Sequence, residues 1–177
     1  PEGDFRVGDL ESLPWPDSSH DVVTGFSSFQ FAADKVQALR EARRVSRGQV
    51  VVVIPSRVAE SGVTQVFQPL FPLFDADDLA GMKQSGMFAL SEPGRLEEVL
   101  ATAGLVVRHD EEVSCPITFT NIDEGLRAFL GAGPTALAIK QSGEQAVAEA
   151  ARKGLDPFVS PGGRVSLPGW YRSVIAG

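Results

Sequence analysis

The sequence has few of the residues that build disulfide-bonded or metal-binding proteins. It contains one cysteine, Cys115, and two histidines, His20 and His109, in 177 residues. A lone cysteine excludes a disulfide within the chain and is typical of a reducing compartment, so the sequence predicts a cytoplasmic protein. We expect Cys115 to be a buried structural thiol, because only these histidines are present to activate it, and we expect no metal site.

Long apolar runs and an excess of positive charge are also absent. No apolar stretch reaches the length of about 18 residues that a membrane-spanning helix needs. The net charge is −7, whereas nucleic-acid binding requires a basic face. The sequence therefore predicts neither a membrane nor a nucleic acid as partner. We interpret one group of arginines as favourable charges at the carboxyl end of a predicted helix: Arg40, Arg43, Arg44 and Arg47.

What the sequence does contain is a strand–helix–strand pattern near its beginning. Residues 21–26 are β-branched and apolar, typical of a central strand covered on both faces, and residues 50–54 form the clearest buried strand. Between them, Asp34 is placed to cap a helix, with Gln37 closing a capping box and Gly48 ending the helix. This order within about 35 residues predicts a parallel sheet with a right-handed crossover.

The rest of the chain predicts further helices and strands. Residues 4–8 alternate as a short strand does. Residues 56–91 are rich in Phe and interrupted by Pro and Asp, so they predict short helices that either form a lid or pack on the sheet. Later elements are predicted in the following order: a helix over 93–103, a strand over 105–113, a helical stretch over 123–153 broken near Gly131 and Gly133 and weakened at Gly143, and a last strand over 164–175 bent at Pro168.

An acidic, proline-containing segment carries a resemblance to a known family. Its residues are Gly8-Asp9, Leu13-Pro14-Trp15, Asp17 and Asp21-Val22-Val23. Followed by the predicted helix and the strand over 50–54, this segment resembles class I S-adenosylmethionine-dependent methyltransferases, in the methyltransferase type 11 group related to ubiquinone and menaquinone biosynthesis. The resemblance is strong over residues 5–55, and from residue 93 onward only the order of elements matches.

The resemblance implies a fold, a cofactor and cofactor-binding residues. The fold would be α/β, the C-terminal part of a Rossmann-like sheet, mostly parallel with an antiparallel last strand, in a single incomplete domain over residues 1–177. Asp9 would accept a hydrogen bond from the adenine amino group of S-adenosylmethionine, and the Leu10 N–H would meet a ring nitrogen. Gly25 and Phe26 would border the methionine end of the cofactor, and Gln30 would bond there or to substrate.

The residues alone also allow simpler roles. Asp9 is more simply a turn cap, and Gly25 relieves crowding at the end of a strand. The class places a glycine-rich loop and a ribose-binding acidic residue ahead of this segment, and the 177 residues contain neither, which predicts weaker cofactor binding by this chain alone. The strand over 21–26 would then lack its usual neighbour, and we expect its edge to be covered by a second copy, by rearranged residues or by an upstream segment.

The implied reaction is methyl transfer to a small, fairly hydrophobic metabolite. Alignment of nucleophile, methyl carbon and sulfur supplies much of the rate of such a transfer, so we assign no catalytic residue. His20 and His109 are alternatives as general base but are more simply surface histidines. The aromatic residues expected in a substrate pocket are Phe67, Phe71, Phe74 and Trp170. The alternative function is that of a truncated, non-catalytic methyltransferase-like fragment acting as a dimeric or binding module.

Overall fold

The computed structural model describes the backbone of residues 3–177 and the side chains of residues 3–82 and 86–177. The chain divides into two compact units. The sheet unit takes in Pro1–Pro55, Gln84–Val113 and Tyr171–Gly177, and the helical unit takes in Ser56–Lys83 and Ser114–Trp170. A single domain with a lid at residues 56–91 stays a prediction.

The elements follow the chain in this order. The strands are β1 (His20–Phe26), β2 (Ser46–Pro55), β3 (Val107–Ser114), β4 (Ile117–Phe119), β5 (Val165–Leu167) and β6 (Trp170–Ala176). The α-helices are α1 (Lys35–Val45), α2 (Gly62–Phe67), α3 (Ala76–Ser85), α4 (Arg95–Thr102), α5 (Ile122–Leu130), α6 (Gly133–Ser142) and α7 (Glu144–Leu155). Short 3₁₀ turns cover Phe29–Phe31, Gln68–Leu73 and Asp156–Phe158.

A four-stranded sheet in the order β1-β2-β6-β3 forms the centre of the sheet unit. β1 and β2 are parallel, with Val23 opposite Val50, and α1 connects them. β6 lies antiparallel to β2, with Val50 opposite Ala176. The predicted strand–helix–strand unit and the antiparallel last strand are therefore confirmed.

The core of the sheet unit lies between the sheet and two helices. Apolar side chains recur at helical spacing on α1 and α4, and β2 presents alternate side chains to them. Burying each large side chain contributes about 1.5 to 3 kcal/mol. The buried residues of this cluster include Ala38, Leu39, Ala42, Val50, Val52, Ile54, Leu96, Val99, Leu100 and Val174.

The helical unit contains two apolar clusters and a small sheet in which β4 pairs with β5. The predicted break near Gly131 is confirmed, because α5 ends there and α6 begins at Gly133. At Gly143, where the sequence predicts only a weakening, the helix ends and α7 begins anew. At Gly154 of α7 the packing is close, since an added Cβ would lie 2.5 Å from the Val66 carbonyl oxygen. This contact accounts for a glycine within α7.

The predicted strand over residues 4–8 is wrong. Within the described residues no strand pairs with this segment, and Phe5 and Val7 are almost fully exposed. A strand without a hydrogen-bonded ladder has nothing to hold it extended. β1 is consequently an edge strand of the described sheet, not a central strand covered on both faces, and Val22 is 46% exposed. Rearranged residues of the described chain therefore do not cover this edge.

Three smaller predictions also need correction. α1 ends at Val45 and β2 begins at once, so Gly48 lies inside a strand and does not end the helix. The predicted last strand divides at Pro168 into β5 and β6, which belong to different sheets, since proline lacks the N–H that a continuous ladder requires. Cys115 is exposed, not buried.

Candidate functional site

The carboxyl ends of β1 and β2 form the framework of the candidate site. The backbone leaves β1 at Phe26, and the Ser27 N–H donates to the Val53 carbonyl at 2.8 Å, which keeps the two strand ends together. The chain then makes the 3₁₀ turn at Phe29–Phe31 and enters α1 through its cap, Asp34. This is the edge of a parallel sheet at which α/β proteins bind ligands.

Gly25 is explained by packing inside this framework. An added Cβ would lie 2.1 Å from the Phe29 ring and 2.8 Å from the Ser28 hydroxyl. The Phe29 ring therefore occupies the space beside the strand and is buried in the core of the sheet unit. Phe26, one residue later, is 68% exposed at the end of β1.

Gln30 is the unusual residue of this turn. Its side chain is fully buried, and both amide atoms, Oε1 and Nε2, lack a hydrogen-bond partner among the residues that the structure describes. Leaving a buried polar group unpaired costs about 1 to 3 kcal/mol. A fully buried amide without partners is unusual in a folded protein.

The loop containing Asp9 and Leu10 reaches the start of α1. Asp9 accepts hydrogen bonds from the Glu11 N–H at 2.9 Å through its carboxylate and from the Ser12 N–H at 3.1 Å through its carbonyl. Asp9 is thus a turn cap in this structure, with an exposed side chain. Leu10 packs against the core cluster that contains Phe29.

Glu11 joins this loop to the turn that carries Gln30. Its carboxylate accepts a hydrogen bond at 2.9 Å from the backbone N–H of Asp34, the N-cap residue of α1. Asp34 accepts the Gln37 N–H, as predicted. The Gln37 side chain does not close the capping box, because its amide donates to the Glu11 carbonyl at 3.3 Å. The structure therefore brings residues 9–11 and 29–34 to one end of the sheet unit.

Glu41 and Arg44 are functional candidates that the sequence did not reveal. The guanidinium of Arg44 forms a two-pronged pair with the Glu41 carboxylate, at 2.8 and 2.7 Å. Hydrogen bonding from Arg44 holds the pKa of the Glu41 carboxyl below its usual value, helped by the Leu13 N–H and opposed by burial. The pair raises the pKa of Arg44 in turn, with Asp17 contributing. The sequence signal that could have identified them is a polar stripe at helical spacing, made of Gln37, Glu41 and Arg44.

The predicted substrate-pocket aromatics all belong to the helical unit. Phe74 is buried in an apolar cluster, and Phe67 packs edge-on to Phe129 with ring centroids 5.5 Å apart. Phe71 is 42% exposed. Trp170 stacks beneath the Arg57 guanidinium, which lies 4.0 Å from the ring centroid. These surroundings fit both core packing and the wall of an apolar pocket.

The histidines lie in surface-type environments. His20 is half-buried beside Trp15, and its Nδ1 lies 2.9 Å from the Ser19 hydroxyl. His109 lies 3.5 Å from the Glu111 carboxylate on an exposed strand. Within the described residues no cluster of His, Cys, Asp or Glu suits a metal ion. None of the described helices combines the length and apolar character that a bilayer crossing requires.

Comparison with known proteins shows that the first part of the sheet unit is similar to methyltransferases. Residues 1–54 match a family model described as a methyltransferase domain. Over 54 residues the chain is 39% identical to the demethylmenaquinone methyltransferase of Thermotoga maritima, a match that covers 29% of this chain and 24% of that protein. The chain thus spans about a quarter of the length of this curated relative.

Solved structures extend the fold relationship to almost the whole chain. The YcgJ protein from Bacillus subtilis superposes with a TM-score of 0.53 at 18% identity, covering 96% of this chain and 68% of that one. The [4+2]-cyclase SpnF gives a TM-score of 0.53 at 19% identity, covering 98% of this chain and 56% of that one. The predicted α/β, Rossmann-like fold is confirmed by these likenesses.

Together these comparisons confirm the predicted resemblance to class I methyltransferases. The cofactor of that class is S-adenosylmethionine. The sequence match ends at Ile54, one residue before the end of β2, so it includes the predicted cofactor residues of the sheet unit and none of the predicted substrate-pocket residues.

Proposed function

We propose that this chain takes part in S-adenosylmethionine-dependent methyl transfer to a small, fairly hydrophobic metabolite. The observation that carries the proposal is the Gln30 amide, which is fully buried and lacks protein partners at the carboxyl ends of the parallel strands. The family match over residues 1–54 supports the same function.

The residues of the sheet unit fit this cofactor in part. Asp9 offers an exposed carboxylate as acceptor, and the adjacent Leu10 N–H is a donor. This pair complements adenine, whose amino group donates and whose neighbouring ring nitrogen accepts. Gln30 offers an amide that both donates and accepts. Gly25 is already required by the Phe29 ring, so its role toward the cofactor would be indirect, through the shape of the strand end.

The cofactor supplies an electrophilic methyl group on a sulfonium, and the protein has to bind and align the two reactants. Methyl transfer of this kind gains much of its rate from alignment. An apolar metabolite suits the aromatic residues of the helical unit, Phe67, Phe71, Phe74 and Trp170, which we propose as its pocket. The single cysteine supports a reducing setting such as the cytoplasm.

The test replaces Gln30 by leucine and measures two quantities. If the amide awaits a ligand, Gln30→Leu should raise the unfolding free energy by about 1 to 3 kcal/mol, because an unpaired buried polar group is removed. The same variant should bind tritium-labelled S-adenosylmethionine about tenfold more weakly in equilibrium dialysis.

Thr135→Val is the matched control for this experiment. The Thr135 hydroxyl is also fully buried and lacks a partner among the described residues, but it lies on α6 of the helical unit. The control should gain stability without losing affinity. Equal affinity of Gln30→Leu and the unmodified chain would contradict the proposal for Gln30, and no binding at millimolar cofactor would contradict cofactor binding by this chain.

A second candidate function is that of a dimeric or binding module without catalysis. The observation that favours it is the edge of β1, which no described residue covers and where Val22 and Phe26 are exposed. Exposed apolar edge strands pair readily with another chain. Size-exclusion chromatography with light scattering separates the two functions: a dimer that does not bind cofactor supports the module, and a monomer that binds cofactor contradicts it.

A further inference from the structure

We infer that Glu41 and Arg44 of α1 are positioning residues that hold the loop over residues 9–18 in the conformation that presents Asp9 and Leu10 to adenine. The inference rests on the proposed function, because it assigns these side chains a purpose at the same site. Neither residue touches the ligand in this account, and both act through the loop backbone.

Arg44 spans the middle of the loop by itself. Its Nη1 donates to the Trp15 carbonyl at 2.9 Å and to the Asp17 carboxylate at 2.7 Å. Its Nη2 donates to the Leu13 carbonyl at 3.1 Å. One guanidinium therefore fixes two backbone carbonyls and one side chain of the loop, 27 to 31 residues away in sequence.

Glu41, one turn before Arg44 in α1, bonds to the same loop. Its Oε2 accepts the Leu13 N–H at 2.9 Å, and the same carboxylate accepts a hydrogen bond from Arg44. The N–H and C=O of Leu13 are thus both bonded to α1. The Gln37 amide extends the same row by reaching the Glu11 carbonyl, directly next to Leu10.

The composition of the loop explains why it needs outside donors. Leu13 and Trp15 each precede a proline, Pro14 and Pro16, and proline has no N–H with which to close a local turn. Backbone carbonyls that find no partner inside the loop bond to water or to other parts of the chain, and those of Leu13 and Trp15 bond to Arg44. A planar guanidinium supplies several donors in a fixed arrangement, which an ammonium group does not.

A simpler interpretation is that Arg44 only places a cation near the carboxyl end of α1. That role needs charge and no particular geometry, so a lysine would serve equally well. The geometry favours the loop instead, because three Arg44 nitrogens share four loop and Glu41 acceptor groups at 2.7 to 3.1 Å. The two interpretations therefore differ in what Arg44→Lys should do.

The experiment compares Arg44→Ala, Arg44→Lys and Arg95→Ala in the 177-residue chain. Arg95 forms an ion pair with Glu98 at the same sequence spacing, at 2.6 Å on α4 of the same unit, and serves as the matched control. The first measurement is the hydrogen exchange of the Leu13 amide by NMR. The second is the ratio of affinities for S-adenosylhomocysteine and S-inosylhomocysteine, which differ at the adenine amino group that Asp9 would bind.

In the unmodified chain we expect about tenfold preference for the adenine compound, the equivalent of one hydrogen bond. Arg44→Ala and Arg44→Lys should each speed Leu13 exchange about tenfold or more and bring the affinity ratio close to one. Arg95→Ala should change neither. Loss of discrimination at a temperature well below unfolding is not expected of a residue that merely stabilises the fold.

Three results would overturn the inference. If Arg44→Lys behaves like the unmodified chain, the residue is only a cation at a helix end. If Leu13 exchange speeds up in the Arg44 variants but the affinity ratio is unchanged, Arg44 stabilises the loop without affecting adenine recognition. If the unmodified chain binds neither compound, the proposed function itself fails, and this outcome is distinguished because it appears without any substitution.

Discussion

The loop over residues 9–18 in the sheet unit is held by hydrogen bonds, whereas the segment over residues 68–75 in the helical unit, which contains the 3₁₀ turn Gln68–Leu73, packs through apolar side chains. None of residues 9–18 is buried, and their hydrogen-bond partners include the charged side chains of Glu41 and Arg44 on α1. In the helical unit, Leu70 and Phe74 are buried in a cluster with apolar residues of α6 and α7: Ala138, Val147 and Ala151.

The comparison shows two ways to fix a segment that lies outside the α-helices and β-strands. Charged hydrogen bonds set the direction of the loop while leaving its own side chains, such as Asp9, exposed to a ligand. Apolar packing sets a shape by volume and withdraws the side chains from solvent. We therefore expect the first region to respond to charge and pH and the second to side-chain volume.

The largest effect should come from emptying the apolar cluster. Leu70→Ala removes a side chain that is 1% exposed, and a buried Leu→Ala substitution costs about 2 to 5 kcal/mol. Urea unfolding measures this cost. Phe71→Ala, next to it and 42% exposed, should cost less than about 1 kcal/mol. Similar costs for the two variants would contradict the packing account.

A smaller effect should follow from filling the space beside β1. Gly25→Ala places a Cβ against the Phe29 ring, and overpacking of this kind costs about 1 to 3 kcal/mol. Gly48→Ala in β2 is the control, since nothing lies within 4 Å of its added Cβ. That substitution should be neutral or slightly stabilising. A neutral Gly25→Ala would show that the Phe29 ring yields easily.

The smallest effect should be the pH dependence of the loop. The folded-state pKa of Glu41 is lowered, so its contribution is complete above the unfolded-state pKa, about 4.3 for glutamate, and is lost as pH falls through the lower folded value. The protection of the Leu13 amide should therefore decline below about pH 4 and stay constant above about pH 5. Amides around Leu70 should show no such decline, and Glu41→Gln should remove the dependence at Leu13.

The sequence predicted elements whose signal is local, and it missed contacts between residues far apart in the chain. β2 and α1 were predictable because a run of valines and a capped, periodic helix each carry their signal locally. The hydrogen bonds from Glu41 and Arg44 to the loop were not predictable. They join residues up to 31 positions apart and depend on how α1 packs against the loop. Phe67 and Phe74 stay ambiguous because aromatic side chains line cores and pockets alike.

The fold by itself does not decide the reaction. The [4+2]-cyclase SpnF matches this chain as well, by TM-score, as the YcgJ protein does. Function resides in the groups that a fold presents to a ligand. The account for this chain therefore depends on Asp9, Leu10 and Gln30 and not on the sheet that carries them.

An NMR titration of the 177-residue chain with S-adenosylhomocysteine tests that claim most directly. We predict saturable shifts of the backbone amides at Leu10, Glu11, Phe26 and Gln30, with the Leu10 shift reduced in Asp9→Asn. Shifts confined to other parts of the chain, or no saturable shift up to millimolar ligand, would contradict the account.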